Sequence, residues 1–172
     1  MLKDLYKYCA SPIEDKSDLK NKTSVYEYLI KRRFELYFSN RDGCSLNLFP
    51  LIGDLTPDME LSTSLNGHGI VIAIEIKFYE GSSENKKNAR RIARRRMDDY
   101  IAAYKEKFPY ESIIPLFITQ NQDFNNNPNK YPCVIFPLEK LDDEIEFDLH
   151  TIIREKIVEY LKNSSEIQNQ IS

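Results

Sequence analysis

Hydrophobic and polar positions alternate most regularly in residues 70–79. At the two-residue period of a β-strand, one face carries only apolar side chains, namely Ile70, Ile72, Ile74, Ile76 and Phe78. The other face includes Glu75 and Lys77, which project side by side from a strand that must be largely buried. Because burying charges is costly without partners, we expect a metal ion, a phosphate or the pair itself to compensate them.

The pattern predicts two helices before the first strand. Residues 1–9 place apolar side chains at helical spacing and predict a short helix. Residues 13–22 are polar and charged, so we expect a loop that leads to Thr23 or Ser24 as a helix cap. Residues 25–39 then predict a longer helix with one broad apolar face.

Three consecutive strands follow these helices in the predicted order. Residues 44–52 and 54–63 have strand patterns, and the glycine-rich segment 66–69 predicts a tight turn into the strand 70–79. Strands joined by such short connections pair as neighbours, so we expect a three-strand meander.

The second half of the chain alternates helices and strands. Residues 84–108 predict the longest helix, residues 112–119 and 131–138 predict two strands, and residues 142–163 predict the last helix. The asparagine-rich segment 120–130 predicts a loop between the two strands.

This order of elements predicts an α/β fold with a mixed central sheet flanked by helices. Strands 70–79 and 112–119 are joined across the long helix, and such a crossover pairs strands in parallel. We expect one domain over residues 1–163 and a polar tail over residues 164–172.

Composition is that of an ordinary globular domain. The chain has 172 residues, of which 41% are hydrophobic and 30% charged, which is enough for one proper core. The longest apolar run is interrupted by Glu75 and Lys77, and no signal peptide is visible, so no membrane association is expected. Cys9, Cys44 and Cys133 lie far apart in sequence, which favours reduced thiols and a cytoplasmic location.

Charge is distributed unevenly along the chain. The net charge of −3 argues against a general nucleic-acid coat protein. The first half of the long helix is nevertheless strongly basic and contains Lys86, Lys87, Arg90, Arg91, Arg94, Arg95 and Arg96. This run indicates a polyanion partner at one face, although a solvated helix surface is the simpler alternative.

Acidic residues suggest a metal site near the strand 70–79. If the meander brings Asp58 beside Glu75, two carboxylates converge with Lys77 one step further along. Carboxylates of this kind suit Mg²⁺, and Lys77 would then activate a water molecule for attack on a phosphate. Of the two acids in helix 25–39, Glu27 lies at the margin of the apolar face and Glu35 on the polar face, so Glu27 is the better additional ligand.

Structural alternatives exist for each of these residues. Glu75 and Lys77 could form a cross-strand ion pair at a sheet edge. Asp58 could cap a turn after Pro57, and Glu27 could be solvated like most helical glutamates.

The pair Pro57-Asp58, followed on the next predicted strand by Glu75-Ile76-Lys77, resembles the signature of the PD-(D/E)xK nuclease superfamily. The resemblance covers about residues 23–119. The superfamily includes restriction endonucleases and Holliday-junction resolvases. It implies a restriction-endonuclease-like αβββαβ core, here with an added strand and a C-terminal helix.

The same resemblance implies roles for individual residues. Asp58 and Glu75 would be metal ligands and Lys77 the catalytic lysine, with Glu27 completing the set. The basic helix would contact the nucleic-acid backbone through Lys86, Lys87, Arg90, Arg91, Arg94 and Arg95. Some relatives carry a glutamine in this helix, and this chain has no clear equivalent.

The expected function is hydrolysis of phosphodiester bonds by an Mg²⁺-dependent (or Mn²⁺-dependent) nuclease. DNA is the first expected substrate and RNA the second. Few segments lie outside the core, so we expect a structure-directed or non-specific endonuclease rather than a sequence reader. A homodimer, in which two sites act on two strands, is compatible with the resemblance. The alternative function is that of a non-catalytic nucleic-acid-binding or assembly protein that keeps the fold.

Overall fold

The computed structural model describes residues 2–79, 83–122, 131–141 and 148–171. Within these ranges the chain forms four α-helices, a short 3₁₀ helix and a five-stranded sheet. In chain order they are α1 (Leu2–Ala10), α2 (Lys16–Phe38), β1 (Ser45–Asn47), β2 (Met59–Leu65), β3 (His68–Lys77), α3 (Ser83–Lys107), β4 (Ser112–Thr119), β5 (Cys133–Ile135), the 3₁₀ helix (Leu138–Leu141) and α4 (Leu149–Ile171).

The sheet is mixed, as the order of elements predicts. Its strands lie in the order β1-β2-β3-β4-β5, with antiparallel pairing from β1 to β3 and parallel pairing from β3 to β5. Helix α3 makes the crossover between β3 and β4. The predicted α/β class is confirmed, and so is the αβββαβ order with an added strand and a C-terminal helix.

The turn between β2 and β3 is shorter than the predicted segment 66–69, and β3 runs over His68–Lys77 rather than over the predicted range 70–79. Leu65 and His68 lie directly opposite each other, so only Asn66 and Gly67 form the turn. Their φ angles of 53° and 80° are both in the left-handed region, which is the conformation that a two-residue hairpin turn requires.

The two faces of β3 pack against different helices. Ile70, Ile72, Ile74 and Ile76 are buried in a core formed mainly with α2 and α4. Val71 and Ala73 on the opposite face are buried with side chains of α3. The sequence predicts this division, and it places Glu75 and Lys77 on the α3 side of the sheet.

Helix α2 begins earlier than the sequence predicts. Asp15 is its N-cap and accepts a hydrogen bond from the backbone N of Asp18 at 2.8 Å. The expected loop over residues 13–22 is therefore wrong from Lys16 onwards, and Thr23 and Ser24 lie inside the helix rather than capping it. Polar composition concealed these helical turns because they are held by polar contacts, such as those of Lys22 with Ser11, Pro12 and Asp18.

The first two strands are shorter than the predicted ranges 44–52 and 54–63. Residues 48–58, here called the β1–β2 loop, separate them. Ile52 and Leu55 exchange two backbone hydrogen bonds of 3.0 Å around Gly53, whose φ is +58°. This tight turn, together with Pro50, which has no N–H to donate, ends the ladder early.

The later elements match the predictions unevenly. Strand β4 has the predicted bounds, and α3 differs by one residue at each end. Strand β5 is limited to Cys133–Ile135, inside the predicted range 131–138. Residues 123–130 of the predicted loop and residues 142–147 of the predicted last helix lie outside the described residues.

Helix α4 extends further than predicted. It begins at Leu149 after Asp148, whose side chain accepts a hydrogen bond from the backbone N of Thr151 at 3.0 Å. It continues to Ile171, so the expected polar tail is helical up to that residue. In the described parts of the chain, no helix combines the length and hydrophobicity needed to cross a membrane.

Candidate active site

Asp58 is hydrogen-bonded to the backbone of β3 through its own N–H and through its side chain. Its N–H donates to the carbonyl of Ile74 at 2.9 Å, and its Oδ2 accepts a hydrogen bond from the N–H of Ile76 at 2.6 Å. Ile76 lies between Glu75 and Lys77, so the start of β2 and the end of β3 bring all three charged residues together. The structure thus produces the arrangement that the sequence pattern requires.

Glu75 is completely buried and has three charged or polar partners. Its Oε1 lies 2.8 Å from the Lys77 ammonium and 2.5 Å from the Arg96 guanidinium, and its Oε2 accepts a hydrogen bond from the Tyr100 hydroxyl at 2.6 Å. A buried carboxylate with two cations and one hydroxyl is well compensated. The Glu75–Lys77 pair therefore exists, but it is embedded under α3 and not at an open sheet edge.

The electrostatic environment shifts the pKa values of the two carboxylates in opposite directions. Burial alone would raise the pKa of Glu75, but Lys77, Tyr100 and Arg96 together hold it below its usual range. Burial and the nearby Glu75 charge raise the pKa of Asp58 to about 6, against a smaller opposing effect of the Ile76 N–H and Lys77. The two carboxylates therefore differ, because Glu75 is held ionised by its own cations whereas the charge of Asp58 is disfavoured by burial and by Glu75.

Glu27 is the helix carboxylate that lies closer to this cluster. It is half-buried on α2, and its charge contributes to the raised pKa of Asp58. Glu35 is exposed and lies 3.5 Å from Arg32 on the helix surface. The preference for Glu27 over Glu35, predicted from the helical wheel, agrees with these positions.

Arg96 and Tyr100 are functional candidates that the sequence analysis missed. Arg96 belongs to the basic run, and Tyr100 to the apolar stripe of α3, so neither suggested a contact with Glu75. They are spaced four residues apart and share one side of the helix. Tyr104, one turn further, donates to Glu60 Oε2 at 2.7 Å. An arginine preceding two tyrosines at this spacing, opposite strand carboxylates, is the signal that could have identified them.

Four basic residues of α3, unlike Arg96, lie on the flank and the outer side of the helix. Lys87, Arg91, Arg94 and Arg95 are exposed, and at about 100° per residue they lie roughly 90–180° from the centre of the buried face formed by Ala93, Met97 and Tyr104. We call this set the basic face of α3. Lys86 and Arg90 belong to the same helix, but their side chains lie outside the described part of the structure.

The donor set suits a hard divalent cation with few protein ligands. Among the described residues, no group of three or more His, Cys, Asp or Glu side chains is placed to hold one metal ion. Mg²⁺ commonly uses only one or two carboxylates and completes its shell with water and phosphate oxygens. Asp58 and Glu75 are ligands of this type, but both Glu75 oxygens are already engaged, Oε1 by Lys77 and Arg96 and Oε2 by Tyr100, so a metal ion would compete with these partners.

Comparisons with known proteins give only distant similarities. No protein-family model matches the chain, and the comparison with curated proteins gave no match. Similar solved structures include an XisH family protein from Nostoc punctiforme PCC 73102, with a TM-score of 0.43 and 16% identity over 67% of this chain and 93% of that chain. An fdxN element excision controlling factor protein from Anabaena variabilis has a TM-score of 0.42 and 14% identity over 69% of this chain and 94% of that chain. These similarities are too distant to assign a function.

Replacing Asp58 by asparagine is expected to stabilise the metal-free protein by about 1–2 kcal/mol at pH 8 and to have little effect at pH 4. The pKa of Asp58 is higher in the folded state than its usual value of 3.8, so its contribution to stability is present at low pH and is lost as the pH rises through about 6. Asparagine keeps an oxygen that can accept from Ile76 and carries no charge. Urea unfolding in EDTA at both pH values measures the difference.

Asp54→Asn is the matched control for this prediction, because Asp54 is exposed in the same loop. Equal behaviour of the two variants at pH 8 would contradict the view that the Asp58 charge is held in an unfavourable environment.

Proposed function

We propose that this chain is a metal-dependent nuclease that hydrolyses phosphodiester bonds, with DNA as the favoured substrate. The observation that supports this most is the convergence of Asp58, buried Glu75 and Lys77 where β2 begins and β3 ends. Two carboxylates whose pKa values are driven apart, with an ammonium beside them, suit a reaction that needs a cation and proton transfer.

Asp58 and Glu75 would hold the metal ion, and Glu27 would contribute through a water molecule. When bound, Mg²⁺ would neutralise charge on the phosphate and make a coordinated water easier to deprotonate. The Asp58 carboxylate is held in position by the Ile76 N–H, so its orientation does not depend on the metal.

Lys77 lies between the buried Glu75 and the solvent, where it would contact a bound substrate. Its ammonium contacts Glu75 and yet its side chain is 26% exposed, so it connects the buried carboxylate with the solvent side of the site. There it would orient the attacking water and stabilise charge on the phosphate. Arg96 and Tyr100 act through Glu75, which they hold in its ionised form, and are positioning residues.

The direct test is incubation of the protein with supercoiled, single-stranded and branched DNA and with RNA. We expect cleavage of DNA with Mg²⁺ or Mn²⁺ and none when the metal is removed with EDTA. Absence of cleavage of every substrate, together with no Mn²⁺ binding that depends on Asp58 and Glu75, would refute the proposal.

The alternative is a non-catalytic nucleic-acid-binding protein. It is favoured by the basic face of α3, which lies on the flank and the outer side of the helix and would serve binding without chemistry. Binding that weakens steeply with salt, in the absence of any cleavage, is the result expected for that function.

A further inference from the structure

Two large apolar side chains on the β1–β2 loop are directed into solvent. Phe49 is 85% exposed and Leu51 is 67% exposed, whereas Pro50 and Ile52, which flank Leu51, are buried. Ile52 packs into the core beneath α3, and the hydrogen-bonded turn with Leu55 fixes the loop just after it. The loop is therefore anchored, and its anchoring holds both side chains out in water despite the free-energy cost.

Phe49 lies at the same end of the sheet as Asp58. Asn47 is paired with Glu60 at the end of the antiparallel β1–β2 ladder. Phe49 lies two residues after Asn47 and Asp58 two residues before Glu60, so both lie past the same end of the ladder. The N–H of Phe49 donates to Asn47 Oδ1 at 3.0 Å, which ties the residue to the end of β1. The exposed ring therefore lies toward the same end of the sheet as the carboxylate cluster, on the side of the edge strand β1.

A cation accompanies the exposed ring. The Lys31 ammonium lies 5.1 Å from the centroid of the Phe49 ring. Lys31 follows Glu27 by one helical turn on α2, on the side of the helix whose charge acts on Asp58. An aromatic face with an adjacent ammonium matches a nucleotide, which offers a flat base and a negatively charged phosphate.

A third exposed apolar side chain lies on helix α3. Ile92 is 55% exposed and precedes Arg96 by one turn on the same side of α3. Arg96 contacts Glu75, so Ile92 is an exposed apolar side chain one turn away from a residue of the charged site. A bound base would therefore meet an apolar group near the charged site.

We propose that Phe49 stacks on an unpaired base next to the phosphate held at Asp58 and Glu75, with Leu51 covering the edge of that base. This inference rests on the proposed nuclease function and names its substrate class, which is single-stranded DNA or an unpaired flap. Bases inside a continuous duplex have no free face for the ring, so a continuous duplex is the poorer substrate.

The test measures binding of matched single-stranded and duplex oligonucleotides that carry 2-aminopurine, a base whose fluorescence reports stacking. The Lys77→Ala background with Mg²⁺ is used so that binding is observed without cleavage. We expect Phe49→Ala to weaken single-strand binding roughly 5- to 160-fold, the range that loss of one base–aromatic stack produces. Phe49→Trp should restore binding and quench the 2-aminopurine signal.

Tyr110→Ala is the matched control. Tyr110 is 90% exposed and lies just before the start of β4. That end of β4 pairs with Ile70, which lies about 16 Å along β3 from Glu75. Its removal should leave single-strand binding within about twofold of the parent protein.

Equal affinity for single strand and duplex, or equal effects of Phe49→Ala and Tyr110→Ala, would overturn the inference while leaving nuclease activity intact. A loss of self-association in Phe49→Ala, seen by sedimentation with DNA binding unchanged, would also overturn it and assign the ring to a contact between two copies. If no substrate is cleaved but single-strand binding still depends on Phe49, the stacking site stands and the enzymatic proposal fails.

Discussion

Replacing Lys77 by alanine is expected to slow DNA cleavage by about 10²–10³-fold while DNA binding changes only a few-fold, because losing a cation that orients water and stabilises charge on the phosphate acts on the reaction rather than on binding. The buried Glu75 keeps Arg96 and Tyr100 as partners, so the variant should remain folded. Single-turnover cleavage with saturating DNA and Mg²⁺ measures the rate, and circular dichroism verifies the fold.

Lys105→Ala is the control for this experiment. Lys105 is exposed in the last turn of α3, so its removal changes the net charge equally without touching the site. If both variants cleave DNA at the rate of the natural sequence, Lys77 serves only as an ion-pair partner of Glu75. Lys77→Arg keeps the positive charge beside Glu75 but replaces the compact ammonium by a planar guanidinium, so it tests whether charge alone is sufficient.

The largest expected effect on stability comes from Lys22, the only fully buried lysine among the described residues. Its ammonium donates to the carbonyls of Ser11 and Pro12 at 2.5 and 2.8 Å and to Ser11 Oγ at 2.9 Å, and it lies 3.3 Å from an Asp18 oxygen. Lys22→Met fills the same space but donates nothing. We expect the free energy of unfolding to fall by about 2–4 kcal/mol, since hydrogen bonds to charged groups contribute about 1.5–3 kcal/mol each and are not additive.

Urea unfolding at pH 7 measures this loss, with Lys20→Met as the control because Lys20 is exposed on the same helix. Hydrogen exchange should show faster exchange in α1, which the Lys22 contacts tie to α2. Similar unfolding midpoints for the two methionine variants would show that the buried ammonium contributes no net stability.

The candidate site combines a rigid part and an electrostatically unfavourable part. Glu75 is compensated by three neighbours, whereas Asp58 is held next to it with a pKa of about 6. A purely structural ion pair would need no second carboxylate at this point. The presence of Asp58 costs stability in the absence of a cation, and such a cost is typical of functional sites.

The sequence by itself determined the local pattern of the two central strands and the order of the elements. The apolar alternation of β3, the left-handed turn at Asn66 and Gly67, and the bounds of β4 follow from local patterns, since side-chain period and turn chemistry are properties of a few neighbouring residues. The positions of Glu75 and Lys77 on one face of β3 follow from the same period, whereas the place of Asp58 beside them, which the sequence only suggested, depends on the pairing of β2 with β3. Helix α2 was predicted too short because its first turns are held by polar contacts with residues before the helix, such as those of Lys22 with Ser11 and Pro12.

Only the tertiary structure decided what surrounds these charges. Arg96 and Tyr100 reach Glu75 because the crossover lays α3 over β3, and the raised pKa of Asp58 results from burial beside a second carboxylate. The position of the exposed Phe49 ring toward the same end of the sheet likewise depends on how the β1–β2 loop is anchored at Ile52. Contacts, burial and electrostatic coupling between distant segments arise only when the chain is folded, so a pattern along the sequence does not contain them.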